Sequence, residues 1–291
     1  MEKSSLLSSV KNILEPQGIL VGAIPLSECN VTRSYLLDKI GIEKSRGTAI
    51  MLAVPYVLSD IARSPDHNVS LYAVARDYHI FFKELADAVL PIIQRDFPDY
   101  GFHVFADHSP IDERDAAVRA GLGIKGLNGL LLTEKYGSFV FLGEIITDAP
   151  ILTTDFLPAD APLPTCEECR LCLSACPMGC AENNRVDCLS SLTQKKGELT
   201  DGEEEILRSH PLVWGCDACQ LACPHNQQII ESNVNTEVEF FRKSLLPRID
   251  ETIINSMSDK EFSDRAYSWR GRNTILRNLN FKKVSKKEDI C

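Results

Sequence analysis

The chain has 291 residues, of which 44% are hydrophobic and 25% are charged, and its formal net charge is -10. This length and balance predict a globular protein with a substantial core and two domains. The acidic charge argues against non-specific coating of nucleic acid, because binding to phosphates requires a basic surface. No apolar run is long enough to span a membrane and no signal peptide is recognisable, so we expect the eleven cysteines to lie in a reducing cytoplasm.

Strands and helices alternate along the first half of the chain, which indicates an α/β domain. Apolar residues at helical spacing, runs of β-branched residues and proline or glycine breaks define the elements. Residues 48 to 54 are continuously apolar, as in a strand buried on both faces. The predicted helices cover residues 5 to 16, 33 to 42 and about 69 to 97, the last kinked or broken at Pro91, and the predicted strands cover 19 to 25, 48 to 54, 102 to 106 and 138 to 147.

A polar and glycine-rich segment follows the strand over residues 102 to 106. Asp107 comes directly after that strand, where α/β sheets present functional side chains. Ser109, followed by proline, predicts the N-cap of a helix that stops at Gly121. Gly121, Gly123 and Gly126 match the G-x-G-x-x-G dinucleotide fingerprint, but they follow a helix where the fingerprint requires a strand, so NAD is disfavoured. These glycines would instead let the backbone approach a large ligand closely.

Two cysteine runs dominate the second half. The first has the spacing C-x2-C-x2-C-x3-C-P of two-cluster bacterial ferredoxins, in which three thiolates hold one cubane and the fourth reaches the other. The second has only C-x2-C-x3-C-P, and Cys188, between the runs, can supply the missing ligand. The predicted ligands are Cys166, Cys169, Cys172 and Cys223 for one 4Fe-4S cluster, and Cys176, Cys188, Cys216 and Cys219 for the other.

Zinc is the main alternative, since paired C-x2-C elements also suit a tetrahedral site of four thiolates. Zinc gives no reason for a further cysteine at x3 spacing before proline in both runs, so iron-sulfur is favoured. A disulfide framework is less favoured still, because the chain is too large to need one. The remaining cysteines, Cys29, Cys180 and Cys291, are predicted to be free thiols.

Prolines 158, 162 and 164 mark a linker, which places a domain boundary near residue 155. We predict an α/β domain over residues 1 to 155, a ferredoxin-like domain over 156 to 235 and a C-terminal extension over 236 to 291. The extension ends in a basic tail, with seven basic and no acidic residues between Trp269 and Lys287. Such a run is usually a solvated or frayed terminus, but in this sequence it is also the only local patch suited to phosphates.

Taken together, these motifs resemble the epoxyqueuosine reductase family, nearly continuously from about residue 72 to 278. The resemblance covers Arg76-Asp77-Tyr78-His79, Asp107 with Glu113-Arg114, Arg119 to Gly123, Tyr136 to Thr147, both cysteine runs, Leu192 to Gln194, Gly215 to Gln220 and Ser268 to Gly271. It implies a nitroreductase-like α/β domain that binds cobalamin without a protein axial ligand, joined to a bacterial-ferredoxin-like double 4Fe-4S domain. The chain would be a short member that lacks the HEAT-like repeats.

The resemblance also implies a reaction, partners and site residues. The reaction removes the epoxide oxygen of epoxyqueuosine in the tRNA anticodon loop, with electrons from a reduced flavodoxin or ferredoxin-type donor and with no membrane partner. Asp107 corresponds to the proton donor, against the alternative of a carboxylate that only balances a helix dipole. The residues implied at the cofactor are Tyr78, His79, His108, Gly121, Gly123 and Asn128. For Tyr78 and His79 the alternative is ordinary helix packing.

Two other functions remain open from the sequence. A related corrinoid iron-sulfur reductase could act on a small molecule, which the acidic charge and the missing repeats favour. An iron-sulfur electron-transfer protein is the third hypothesis. A simple carrier has no need for a large α/β domain with a carboxylate at the end of a strand.

Overall fold

The computed structural model describes residues 5–150, 164–182 and 187–288. The chain divides into two compact units: the first is Met1–Tyr56, Tyr78–Cys169 and Thr236–Val238, and the second is Val57–Asp77, Arg170–Asn235 and Glu239–Cys291. This division differs from the three consecutive domains predicted, because residues 57–77 and 239–291 fall in the same unit as residues 170–235. The predicted boundary near residue 155 lies outside the described residues.

Helices and strands are numbered here in chain order. The described helices α1 to α14 are Leu6–Leu14, Ser34–Ile40, Ser59–Arg63, Tyr78–Asp96, Glu113–Arg119, Pro164–Cys169, Leu171–Ser174, Leu189–Thr193, Asp201–Ser209, Ala218–Leu221, Pro224–Glu231, Glu251–Ser256, Asp259–Ser263 and Arg272–Glu288. The described strands β1 to β6 are Leu20–Pro25, Thr48–Pro55, Phe102–Phe105, Ile124–Lys125, Leu131–Leu132 and Val140–Thr147. None of these helices is both long and apolar enough to cross a membrane.

The first unit is built on a four-stranded sheet in the order β1-β2-β6-β3, so the prediction of an α/β unit is confirmed. Alternating strands and helices often give a parallel sheet, but here every neighbouring pair is antiparallel. β2 is buried along its whole length, as its apolar run predicts. In the ladder, Glu144 of β6 lies between Met51 of β2 and Phe105 of β3. The end of β3 is thereby placed beside a buried acidic residue.

The helix predicted from residue 69 begins only at Tyr78. The preceding stretch belongs to the second unit, where Val69 and Val74 are buried in a core with Trp214 and Tyr267. These long-range contacts override the local helical pattern. Pro91 lies inside α4 without ending it, since α4 continues to Asp96 and packs along β3 and α1.

Asp217, between Cys216 and Cys219, ties the stretch before α4 to the second cysteine run. Its carboxyl is almost completely buried and accepts hydrogen bonds from Ser70 Oγ and from the backbone N–H of Leu71, the latter at 2.9 Å. A buried carboxyl must be satisfied in this way, because its desolvation is costly. The second unit therefore forms around the second cysteine run from stretches far apart in sequence.

Candidate functional site

Asp107 stands two residues beyond the end of β3. Its side chain is 71% exposed, and its backbone has φ of 65°, in the left-handed region that few non-glycine residues adopt. The backbone N–H of Asp107 donates to Glu113 Oε1 at 3.0 Å. Such a conformation costs about 1–3 kcal/mol and persists where the surroundings hold it, often at functional sites.

Side chains from two helices flank this turn. His79 Nε2, on α4, lies 3.8 Å from Asp107 Oδ2. His108 Nε2 is hydrogen-bonded to Tyr35 Oη, on α2, at 3.0 Å. Three predicted site residues, Asp107, His79 and His108, are thus brought together. No motif in the sequence marks Tyr35. In the structure its large aromatic ring is 55% exposed.

A buried carboxyl lies behind the turn. Glu144 is fully buried in β6, and Ser109 Oγ donates to its Oε1. Burial, together with the neighbouring charge of Glu113, raises the pKa of Glu144 well above its usual range. Burial raises the pKa of Glu113 to about 7, although the N–H of Asp107 opposes the shift. This pair was missed from the sequence, although an acidic residue inside the apolar run of β6 was a signal.

The prediction that Ser109 is the N-cap of the following helix is wrong. Asp112 is the N-cap of α5, and its Oδ1 accepts from the N–H of Arg114 at 3.1 Å and of Asp115 at 3.3 Å. Ser109 is buried and directed at Glu144 instead. Both residues are good caps, and the hydrogen bond to the buried carboxyl decides between them.

The other residues predicted at the cofactor have contacts within the first unit. The Tyr78 ring stacks on Phe141 with centroids 4.5 Å apart. A Cβ on Gly123 would lie 2.3 Å from Leu132 O, so the pairing of β4 with β5 requires glycine there. Asn128 is 4% exposed, and its Oδ1 accepts from the N–H of Leu130 at 3.3 Å.

Gly121 differs from these residues. Its φ is 79°, and among the described residues, its two chain neighbours apart, no heavy atom lies within 4 Å of the position that a Cβ would occupy. Of the two glycines predicted at the cofactor, Gly121 is therefore the one that leaves open space beside the backbone.

Five cysteines of the second unit share one neighbourhood. Cys176 Sγ and Cys180 Sγ are 3.8 Å apart. Burial raises the pKa of Cys180 to about 12, with smaller contributions from Cys176 and Cys188. Burial likewise raises the pKa of Cys216 to about 12, helped by Asp217, Cys188 and Cys219. The four ligands predicted for one cluster are thus close to one another, and Cys180 adjoins them.

The ligands predicted for the other cluster lie on short helices. Cys166 and Cys169 are on α6, Cys172 is on α7, and Cys223 is the N-cap of α11. Among the described residues, no three His, Cys, Asp or Glu side chains stand close enough to hold a single metal ion.

Two of the three cysteines predicted to be free thiols can be placed. Cys29 is buried in the first unit and Cys180 in the second, and neither forms a disulfide. Cys291 lies outside the described residues.

The basic tail is part of α14, and several of its charges are used within the second unit. Lys282 is half-buried and donates to the carbonyls of Leu207 and His210, at the C-terminal end of α9. Burial lowers its pKa to about 8. Arg277 donates to Gly197 O at 2.7 Å, and Arg272 to Met257 O at 2.7 Å. These three side chains thus have partners within the second unit, and the basic tail as a phosphate patch stays a prediction. The side chains of Lys283, Lys286 and Lys287 lie outside the described residues.

Comparison with known proteins identifies the cysteine-rich segment and the relatives of the chain. A family described as "4Fe-4S double cluster binding domain" matches residues 165–226, which confirms the prediction of two clusters. Epoxyqueuosine reductase of Listeria monocytogenes is 34% identical over 209 residues, covering 69% of this chain and 53% of the relative. The Bacillus subtilis enzyme of the same name is 32% identical over 266 residues, covering 87% and 65%. The chain thus spans between half and two thirds of the length of these relatives.

A solved structure has the same fold. It is an epoxyqueuosine reductase with an epoxyqueuosine-modified stem loop of a tyrosine tRNA, and it superposes with a TM-score of 0.67 at 22% identity. The match covers 96% of this chain and 81% of that one.

Proposed function

The chain belongs to the epoxyqueuosine reductase family, and on that premise we propose that it reduces epoxyqueuosine in tRNA to queuosine. The observation that carries the proposal is the exposed carboxyl of Asp107, held at the end of β3 by Glu113 and accompanied by His79. The same chain contains a double-cluster domain. The reaction requires a proton donor and an electron relay.

The reaction balances with two electrons and two protons. Both carbon–oxygen bonds of the epoxide break, a carbon–carbon double bond forms between the two ring carbons, and the oxygen leaves as water. The carbon framework is reduced and the electron donor is oxidised. Clusters carry electrons one at a time, so two clusters suit a relay from a surface donor. We propose a reduced flavodoxin or ferredoxin-type protein as that donor.

We propose cobalamin as the second cofactor, on the strength of the family resemblance. When bound, cobalamin supplies a low-valent metal that is a strong nucleophile or reductant. The residues of the first unit fit such a ligand: Tyr35 and His108 present exposed polar groups, and Gly121 has open space beside its backbone. A corrin has amide side chains around an apolar ring, so it needs both hydrogen-bonding groups and close backbone approach.

Asp107 is assigned as the proton donor to the departing oxygen. Its exposure allows a substrate to reach it, and His79, 3.8 Å away, can orient the carboxyl or return a proton to it. The clusters would be held by the two predicted sets of four cysteines, each set binding one cubane.

We propose tRNA as the substrate carrier, because the structural relative was solved with a modified tRNA stem loop. The experiment is direct. Anaerobically reconstituted protein, given cobalamin, a strong reductant and an epoxyqueuosine-bearing stem loop, should convert the nucleoside to queuosine, read as the loss of one oxygen by mass spectrometry of the digest. Protein reconstituted without cobalamin is the matched control.

A second candidate substrate class is a free small molecule, because Arg272, Arg277 and Lys282 are used inside the second unit rather than offered to phosphates. The two hypotheses separate when the free nucleoside is given in place of the stem loop. Conversion of the nucleoside with no conversion of the stem loop would replace the tRNA proposal with the small-molecule one.

A further inference from the structure

The buried pair Glu113 and Glu144 has no part in the chemistry above, yet it lies directly behind Asp107. Glu144 is fully buried in a central strand, where an ionised carboxylate would be very costly without a partner. Ser109 Oγ donates to Glu144 Oε1. Glu144 Oε2 has no hydrogen-bond donor beside it in the described part of the chain, and the carboxyl of Glu113 is its neighbour. This pattern suits an acid that accepts through Oε1 and carries its proton on Oε2.

Glu113 makes the complementary contact. It is the first residue of α5 and is half-buried, and its Oε1 accepts the backbone N–H of Asp107 at 3.0 Å. The backbone N–H of Asp107 favours the ionised form of Glu113, and complete burial favours the protonated form of Glu144. A proton on Glu144 can then be shared with the neighbouring carboxylate of Glu113.

The charges around the pair raise the pKa of Glu113, while the complete burial of Glu144 and the backbone N–H that Asp107 donates to Glu113 favour holding the proton on Glu144. Asp107, from the turn after β3, and Asp112, the N-cap of α5, both add negative charge to the surroundings of Glu113. Cys29, from the loop after β1, lies near Glu144, and burial raises the pKa of its thiol to about 12, so it is neutral. Full ionisation of both glutamates would place like charges together in a buried site, which carboxyl pairs avoid by sharing one proton.

We propose that Glu144 stays protonated at neutral pH and, as hydrogen-bond donor to an ionised Glu113, positions Asp107 for proton transfer. The positioning of Asp107 for catalysis rests on the proposed function, whereas the protonation of Glu144 does not. The chain of contacts runs from Ser109 through Glu144 and Glu113 to the backbone of Asp107. Glu113 and Glu144 are positioning residues, and Asp107 alone meets the substrate.

Two measurements test the arrangement without any substrate. Infrared spectra of protein with isotope-labelled glutamate should contain the carbonyl stretch of a buried protonated carboxyl that persists above about pH 7, and Glu144→Gln should remove it. The amide proton of Asp107 should exchange faster with solvent in Glu113→Ala than in the wild type. Absence of the band from the wild type, or its persistence in Glu144→Gln, would overturn the proposal.

Kinetics test the positioning role. Glu144→Gln should keep kcat within about twofold, because an amide also accepts from Ser109 and donates to Glu113. Glu144→Leu and Glu113→Ala should lower kcat roughly tenfold to hundredfold with KM unchanged, the cost of a misplaced catalytic group. The matched control is Asp148→Asn, which changes an exposed carboxylate that likewise accepts a backbone N–H, that of Gly101 at 2.7 Å. It should behave as the wild type.

The pH profile separates Glu113 from Asp107. Because Glu113 must be ionised, kcat of the wild type should rise with pH through about 7, and Glu113→Gln should lack this limb. A group that donates a proton in the reaction gives a limb of the opposite sign, so a limb that rises with pH belongs to Glu113. If Glu144→Leu does not fold, Glu144→Gln still decides, since loss of kcat in that variant would show that an ionised carboxylate is needed. A wild type without turnover would reject the proposed function, while the infrared and exchange measurements still test this inference.

Discussion

Asp107 combines exposure with a constrained backbone. Its carboxyl is 71% exposed, while the left-handed φ of 65° and the hydrogen bond to Glu113 restrict the direction in which the side chain points. A loop residue held in this way avoids part of the entropy cost of positioning a catalytic group. A substitution of Asp107 must therefore preserve the shape of the side chain if it is to report on proton transfer alone.

We expect Asp107→Asn to lose turnover by about a hundredfold or more, the usual effect of removing a general acid. The amide has the same shape and keeps the backbone contact to Glu113, but it cannot deliver a proton. Single-turnover assays with saturating reductant measure the change, and iron and cobalamin contents should equal those of the wild type. Unchanged turnover would reduce Asp107 to a structural role.

Asp107 could be predicted from the sequence because its strand and its motif are local in the chain. Glu144 was not recognised, since its meaning depends on a ladder that sets it opposite Phe105 and near Ser109, which are 39 and 35 positions away in the numbering. Ser109 was assigned to the wrong contact for the same reason. Local capping rules rank Ser109 and Asp112 alike, and only the fold shows which one meets a buried carboxyl.

The contacts of helix α14 likewise could not be predicted from the local sequence. The run of basic residues is visible in the sequence, but its pairing with α9 is not. Lys282 caps the C-terminal end of α9 through the carbonyls of Leu207 and His210, where a cation is favourable both as a donor and for the helix dipole. The stretch over 69–77 is similar, since its helical pattern is overridden by burial in the core that contains Trp214.

We therefore expect Lys282→Met to destabilise the second unit by about 1–3 kcal/mol, because two carbonyls lose a charged donor. The loss should appear as a lower midpoint in chemical unfolding, with no change in the salt dependence of tRNA binding. Lys243→Met is the matched control, since Lys243 is exposed and its ion pair is with the exposed Glu239; it should leave stability within about 0.5 kcal/mol. A weaker salt dependence at unchanged stability would restore Lys282 as a phosphate contact.

In the molecule as a whole, the predicted cluster ligands come from stretches that the sequence separates. Their spacing was sufficient to predict two clusters, because ferredoxin-like ligands are grouped within a few residues. The fourth ligand of the second set is harder to predict, since Cys180 and Cys188 both lie between the runs. The structure places both near the same thiols: Cys180 is 3.8 Å from Cys176, and Cys188 adjoins Cys216.

The iron content of cysteine variants distinguishes these two residues. Wild-type protein reconstituted without oxygen should bind about eight iron and eight sulfide atoms, two cubanes with four thiolates each. Cys188→Ala should lose or convert one cluster, because Cys188 is the predicted fourth ligand of its set. Cys180→Ala should keep both clusters, since Cys180 adjoins the set without belonging to it, and Cys29→Ala, a buried thiol of the first unit, is the matched control. Iron and sulfide analysis, with electron paramagnetic resonance of the reduced protein, measures each outcome. If Cys180→Ala loses iron and Cys188→Ala retains it, Cys180 is the ligand and Cys188 the free thiol.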